Sequence, residues 1–213
     1  MKYSHVIWDW NGTIVDDARL CVDIVNKLLR DFKQKQVSME FYLNHFRFPV
    51  SSYYQLIGLP TDSVSTKSLS HQFITNYRKG FASCKLQLGI IECLKKLKEW
   101  NINQSVLSAG NQADLNSFIS FFKLSEYFDI MSGVNNFYAN GKSHIAHEHF
   151  DKLTLAKSDV LLIGDTLHDA EIADDLGIDC LLYCGGHNSQ TILNRSKFPL
   201  IESIDEVCSW VLD

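Results

Sequence analysis

His5-Val6-Ile7-Trp8-Asp9-Trp10-Asn11-Gly12-Thr13 is the stretch whose reading decides the fold. Its first four residues read as a buried strand ending at the acidic Asp9, and Asn11-Gly12-Thr13 are turn residues. A helical pattern follows, with Cys21, Ile24, Val25, Leu28, Leu29 and Phe32 on one face. From there to about Cys84 the intervals stay helical, over Met39 to Phe46, Ser51 to Ile57 and Leu69 to Phe81. Breaks fall at Phe48-Pro49 and Gly58-Leu59-Pro60. After Leu88-Gly89 the rhythm changes to helix, strand, helix, strand. Ser105-Val106-Leu107, Asp129-Ile130-Met131, Val160-Leu161-Leu162-Ile163 and Cys180-Leu181-Leu182-Tyr183 are the strands, and Ser203 to Glu206 is a capping box for a last helix. Apolar strands alternating with helices predict an α/β fold, a Rossmann-like parallel sheet covered on both faces. The helical block then reads as an insertion. This gives a core of residues 1–15 and 86–213 and a small helical cap domain of residues 16–85.

The 213 residues, nearly half of them apolar, suffice for a full core. A formal charge of −5 without a basic stripe excludes a general nucleic-acid binder. No segment approaches the roughly 20 apolar residues that span a bilayer, and the first residues lead into a strand without a secretory apolar region. The expectation is a cytoplasmic protein without a membrane partner. Six cysteines without Cys-x-x-Cys spacing read as buried thiols.

In an open parallel sheet, ligands collect beyond the carboxyl ends of the strands. Asp9, Ser108 and Asp165 stand there, and Lys142 lies in a Gly-Lys-Ser turn before a helix. A carboxylate at the position of Asp9 can be a nucleophile, while Gly12 allows the turn that brings amides toward an anion. Ser108 can donate to a phosphoryl oxygen, with free amides such as that of Ala109 beside it. Lys142 supplies positive charge. Asp165 and Asp169, four residues apart where a strand enters a helix, join Asp9 in a hard oxygen site suited to magnesium. Each residue alone has a plainer reading as a cap, turn or loop residue. Their joint order does not.

That order, Asp9-Trp10-Asn11-Gly12-Thr13, Ser108, Lys142 and Gly164-Asp165-Thr166-Leu167-His168-Asp169, resembles the four motifs of the haloacid dehalogenase superfamily. The likeness covers nearly the whole chain and is nearest to the phosphoglycolate-phosphatase-like branch with a helical cap. The resemblance implies a Mg2+-dependent phosphatase of a small phosphorylated metabolite, working as a monomer or homodimer. Asp9 would become an aspartyl phosphate. Asp9, the Asn11 carbonyl and Asp165 would hold the metal, with Asp169 in or behind that shell. Ser108, Ala109, Gly12 and Lys142 would bind the phosphoryl group.

One residue departs from the pattern: Asn11 stands where the family's phosphatases carry an acid/base aspartate, a contribution worth about 10²–10⁴-fold. Two alternatives therefore accompany the phosphatase. One is a phosphonate-type hydrolase with a Schiff-base lysine in the cap, for which Lys27, Lys33, Lys35 and Lys67 are candidates. The other is a catalytically impaired phospho-ligand binder. Substrate choice is expected from the cap, where Arg47 could pair with an anionic group, and from His168. His144, His147 and His149 cluster but read as a solvated helix face.

Overall fold

The computed structural model describes residues 1–136 and 141–212. Six strands form one sheet: β1 (His5–Trp8), β4 (Asn103–Asn111), β5 (Ile130–Val134), β6 (Val160–Gly164), β7 (Asp179–Tyr183) and β8 (Leu200–Ile201). Their spatial order is β5-β4-β1-β6-β7-β8, and every pairing is parallel. β1 is central because His5-Val6-Ile7-Trp8 is wholly buried, as a strand covered on both faces must be. Its side chains divide by the two-residue period. Val6 and Trp8 pack with α5 (Ile90–Glu99), α6 (Gln112–Phe121) and α10 (Glu206–Leu212), whereas Ile7 packs with α7 (Ser143–Asp151) and α8 (Leu167–Leu176). Each large apolar side chain buried in this way contributes roughly 1.5–3 kcal/mol.

The chain moves from β1 out to β4 and β5 and then returns to β6 on the other side of β1. That reversal opens a crevice at the carboxyl ends of β1, β4 and β6. Before Lys85 the chain makes four α-helices: α1 (Ala18–Asp31), α2 (Met39–His45), α3 (Val50–Leu56) and α4 (Ser63–Gly80). They are bracketed by β2 (Val15–Asp16) and β3 (Lys85–Leu86), which pair antiparallel, so the outgoing and returning chain lie side by side.

Several local expectations need correction. The helical block is flanked by a strand pair not read from the sequence, because β2 and β3 are two residues each and too short for an alternation to show. α4 starts six residues before the Leu69 expected from periodicity: the Asp62 side chain accepts from the amides of Val64 and Ser65 at 3.1 and 3.0 Å and caps a polar first turn. Phe32 falls just past the end of α1 and is 40% exposed. His149 is not solvated. It sits at 1% exposure in a buried relay in which His5 Nε2 meets Ser105 Oγ at 2.8 Å, Ser105 Oγ meets His149 Nε2 at 2.9 Å, and His149 Nδ1 meets Ser132 Oγ at 2.8 Å. Burial depresses the pKa of His5 to about 4 and that of His149 to about 3. No helix among the described residues is long and apolar enough to cross a membrane.

Candidate active site

The crevice at the switch point gathers Asp9, Ser108, Lys142, Asp165 and Asp169, all buried. Asp9 leaves β1 with its amide bonded to the Ile163 carbonyl of β6 at 2.8 Å, which fixes it beside Asp165. Oxygen atoms of Asp9, Asp165 and Asp169 lie within 4.8 Å of one another. The Lys142 ammonium stands among them, donating to Asp9 Oδ1, to the Leu107 carbonyl at 2.9 Å and pairing with Asp169 Oδ1 at 2.7 Å.

Asp169 reaches this position through the start of α8. Its Oδ2 accepts from the amides of Asp165 and Thr166 at 3.2 and 3.0 Å and from the Thr166 hydroxyl at 2.7 Å, so Oδ1 is left to Lys142. Lys142 is held from behind, its amide donating to His168 Nε2 at 3.0 Å. Gly141 must precede it, since a Cβ there would stand 2.4 Å from that nitrogen. His168 thus orients the lysine as well as lining the cavity, and Phe48 of the helical insertion packs against its ring with the centroids 4.8 Å apart.

The charges in this cluster are unequal. Burial lifts the pKa of Asp9 well above the carboxylate range; Lys142 opposes the rise and the neighbouring Asp169 and Asp165 add to it. Burial also moves Asp165 up to about 6, against the pull of His187. Burial works against Asp169 too, but Lys142 and the Thr166 donors hold it below its ordinary value. Lys142 is raised, because Asp169 and Asp9 outweigh its own desolvation. One ammonium does not neutralise three carboxylates. The donor set is all hard oxygen, and the excess negative charge fits a divalent cation of the magnesium type.

Ser108 is 1% exposed, and its Oγ accepts from the Gly110 amide at 3.0 Å, leaving its own proton free to donate. Ala109 lines the cavity beside it. Gly12 serves differently from expectation. Its amide donates to Asp17 Oδ1 and to the Val15 carbonyl, each at 2.9 Å, so it is not offered to an anion. Glycine is needed there for φ +82° and because a Cβ would fall 2.3 Å from Asp165 Oδ2.

Arg47 is also placed differently. It is exposed and absent from the cavity wall, whereas Phe46 and Phe48 on either side line it. Lys27, Lys33, Lys35 and Lys67 are likewise exposed and off the wall.

Sequence reasoning missed a buried polar assembly next to Asn11. Asn11 Nδ2 donates to Asp17 Oδ2 at 2.7 Å and to the Tyr77 hydroxyl at 2.8 Å, and that hydroxyl donates to Asp17 Oδ2 at 2.7 Å. His187 Nε2 donates to Asp17 Oδ1 at 3.2 Å, its Nδ1 meets the Tyr42 hydroxyl at 2.9 Å, and its amide donates to Asp165 Oδ2 at 2.6 Å. Despite its burial, His187 is raised to about 9 by Asp17, and Asp17 is lowered by His187 and its hydrogen bonds. The pair is therefore imidazolium and carboxylate at neutral pH. Asp17, Cys21 and His187 also bring donor atoms within 4.8 Å, but a protonated ring has no lone pair for a metal. The doubled acid Asp16-Asp17 after the turn and the Gly185-Gly186-His187 loop were the available signals; a lone Tyr77 on a helix gave none.

A doubly wound sheet with acids at the ends of two adjacent strands, a buried lysine and a helical insertion defines an α/β protein whose candidate site lies at the switch point. A sequence model of the haloacid dehalogenase-like hydrolases matches residues 6–183, and the chain belongs to that family. Among solved structures it is similar to a predicted phosphatase from Clostridium acetobutylicum, with 20% identity, 100% of this chain and 99% of that chain covered, and a TM-score of 0.85. A predicted phosphoglycolate phosphatase from Haemophilus somnus 129PT shows 18% identity, 99% and 98% coverage and a TM-score of 0.80. A haloacid dehalogenase-like family hydrolase from Streptococcus pneumoniae shows 17% identity, 98% coverage of each chain and a TM-score of 0.77. No curated protein matches the sequence.

Proposed function

We propose that the protein is a Mg2+-dependent phosphatase of a small phosphorylated metabolite, acting through an aspartyl phosphate on Asp9. The observation that carries this reading is the clustering of Asp9, Asp165 and Asp169 around the Lys142 ammonium at the end of the cavity. Asp9 attacks phosphorus, and the leaving oxygen departs with the electron pair of its bond to phosphorus. Water then attacks the aspartyl phosphate and releases inorganic phosphate. Lys142 offsets the repulsion between nucleophile and dianion, and Ser108 and the amide of Ala109 bind phosphoryl oxygens. Asp9, the Asn11 carbonyl, Asp165 and Asp169 would hold Mg2+, which supplies charge neutralisation and alignment when bound.

We take residues 16–85 as a cap over a core of residues 1–15 and 86–213. The neighbours described as phosphatases support the reaction class. The phosphonate alternative gains no support, because none of its candidate lysines reaches the cavity wall. Asn11 supports a slow or specialised enzyme, since an amide cannot shuttle a proton.

The test is phosphate release from a panel of phosphomonoesters with Mg2+, together with mass spectrometry of the acid-quenched Asp9 peptide. Phosphorylation of that peptide, abolished along with turnover in Asp9→Asn, is the expected result. Turnover that survives Asp9→Asn overturns the assignment.

A further inference from the structure

Two independent features of the cavity bear on its substrate. The first is the fixed orientation of the Asn11 amide. The Asp17 carboxyl accepts from the Gly12 amide and from the Tyr77 hydroxyl, the Asn11 nitrogen faces it, and the Tyr77 oxygen takes the second amide hydrogen because its own proton goes to Asp17. Asn11 Oδ1 has no hydrogen-bond partner among the described residues and is turned toward Gly110, 3.9 Å from where a Cβ on that glycine would stand. At the position of the usual acid the cavity therefore presents an acceptor, locked by two bonds, that has no proton to give to a departing oxygen.

The second feature is the aromatic wall. The cavity, of about 170 Å3, is lined by Phe46, Phe48, Tyr53, Phe73, Tyr77 and Phe118 among others. An apolar cavity of about 150 Å3 accepts a benzene ring. Lys142 is the one lysine or arginine among the described lining residues, and it is already engaged by Asp9 and Asp169. His187 carries charge, but both its ring nitrogens are taken by Asp17 and Tyr42. Asp17 and Asp114 also belong to the wall. Both are paired, Asp17 with His187 and Asp114 with Arg78 at 2.8 and 2.9 Å, so a second anionic group on the substrate would meet no unengaged lysine or arginine among the described lining residues. Trp10 and Tyr53 belong to the lining residues, and their Nε1 and hydroxyl are buried with no hydrogen-bond partner among the described residues.

We propose, resting on the phosphatase reading, that the substrate is the phosphate monoester of an uncharged aromatic hydroxyl compound. A phenol-type oxygen, with a pKa of about 10, leaves as its anion far more readily than an alcohol, whose acidity is near that of water at about 15.7. In the first step the Asp9 oxygen bonds to phosphorus and the phosphorus–oxygen bond to the ring breaks, its electron pair leaving on the aryloxide. Solvent water protonates the aryloxide. In the second step a water molecule, whose proton Asn11 Oδ1 can accept as a hydrogen bond without removing it, attacks phosphorus and regenerates the Asp9 carboxylate. Its released protons pass to phosphate and solvent, so the sum is aryl phosphate plus water giving phenol plus phosphate. The aromatic wall holds the ring, and the ring supplies the leaving group that Asn11 requires.

The test compares kcat/KM, with Mg2+, for substituted phenyl phosphates, cyclohexyl phosphate and phosphoglycolate, with binding of the same esters to Asp9→Asn measured by calorimetry. Phenyl phosphate is expected to exceed cyclohexyl phosphate, a ring of similar size, by at least about 10²-fold, the lower end of what general acid catalysis supplies. Turnover should rise steeply with the acidity of the phenol, and Asp9→Asn should bind phenyl phosphate more tightly than phosphoglycolate. Cyclohexyl phosphate or phosphoglycolate matching phenyl phosphate, with turnover still abolished by Asp9→Asn, overturns this proposal and leaves the phosphatase reading standing. Absence of turnover and of Asp9 phosphorylation with every ester removes both.

Discussion

Asn11→Asp is the substitution that would make the first motif resemble an ordinary phosphatase, and the structure predicts that by itself it damages the fold. The new carboxylate oxygen would stand where Nδ2 now lies, 2.7 Å from Asp17 Oδ2. Two unit charges about 4 Å apart at an effective dielectric of about 20 repel by about 4 kcal/mol. That is equivalent to raising one carboxyl by about 3 pKa units, at about 1.36 kcal/mol per unit. The His187 imidazolium, paired with Asp17 at 3.2 Å, offsets part of this. A net loss of about 2–4 kcal/mol at pH 7 follows, or a Tm lower by about 4–16 °C for a chain of this size.

The sign with pH is fixed by linkage. A carboxyl raised in the folded state carries no penalty below its unfolded pKa of about 3.9, and the penalty grows by about 1.36 kcal/mol per pH unit above it. The assay is thermal unfolding in metal-free buffer at pH 5 and pH 7 for wild type, Asn11→Asp and Asn11→Asp/Asp17→Asn. In the double variant the new amide at position 17 can donate to the new carboxylate at position 11. The amide–carboxylate bond is then restored in reverse, and at least half the lost Tm should return. An unchanged Tm for Asn11→Asp at pH 7, or a deficit equal at pH 5 and pH 7 that the second substitution does not relieve, would refute the electrostatic reasoning.

Three further outcomes follow from the same structure. Lys142→Met strips the buried cation from Asp9 and Asp169 and should cost about 3–5 kcal/mol, seen as a lower Tm in metal-free buffer that Mg2+ partly restores; a Tm equal to wild type would refute the pairing. Mg2+ at about 100 times its Kd should stabilise the wild type by about 2.7 kcal/mol, and Asp165→Asn should abolish most of that gain in a thermal shift titration. His5 and His149 have folded pKa values of about 4 and about 3, below the unfolded value of about 6.5. Their contribution to stability is whole above pH 6.5 and falls as pH drops from there toward 4, by about 1.4 kcal/mol per unit for each ring. Denaturant melts of wild type and His149→Gln should show a shallower decline in the variant over that window.

What could be read from the chain and what could not divide on physical grounds. Asp9, Ser108 and Asp165 were legible because a parallel strand announces itself as an apolar run, and the polar residue at or just past the end of that run points to the crevice. Lys142 was legible only through the order of its companions, since its burial depends on Asp9 and Asp169 arriving from β1 and α8. The Asp17–His187–Tyr77 assembly escaped because it joins a helix start, a core loop and a cap helix, and no local periodicity records such a meeting. Arg47 was misplaced for a related reason. Position along a cap loop does not say which of three successive side chains turns inward, and here the two phenylalanines do. Gly12 is read from the sequence as the turn that brings amides toward an anion, but its own amide is taken by Asp17, a contact no local pattern records.

The loop after β7 has a place in the molecule that its short sequence conceals. His187 and its two successors bind the insertion at Tyr42, at the carbonyls of Phe46 and Leu43 and at Asn44, while the His187 amide grips Asp165. Access and reactivity thus hang on one joint of three residues. The same three residues that fasten the segment of Tyr42 to Phe46 also hold Asp165 through the His187 amide, so the insertion and the acid cluster share one anchor.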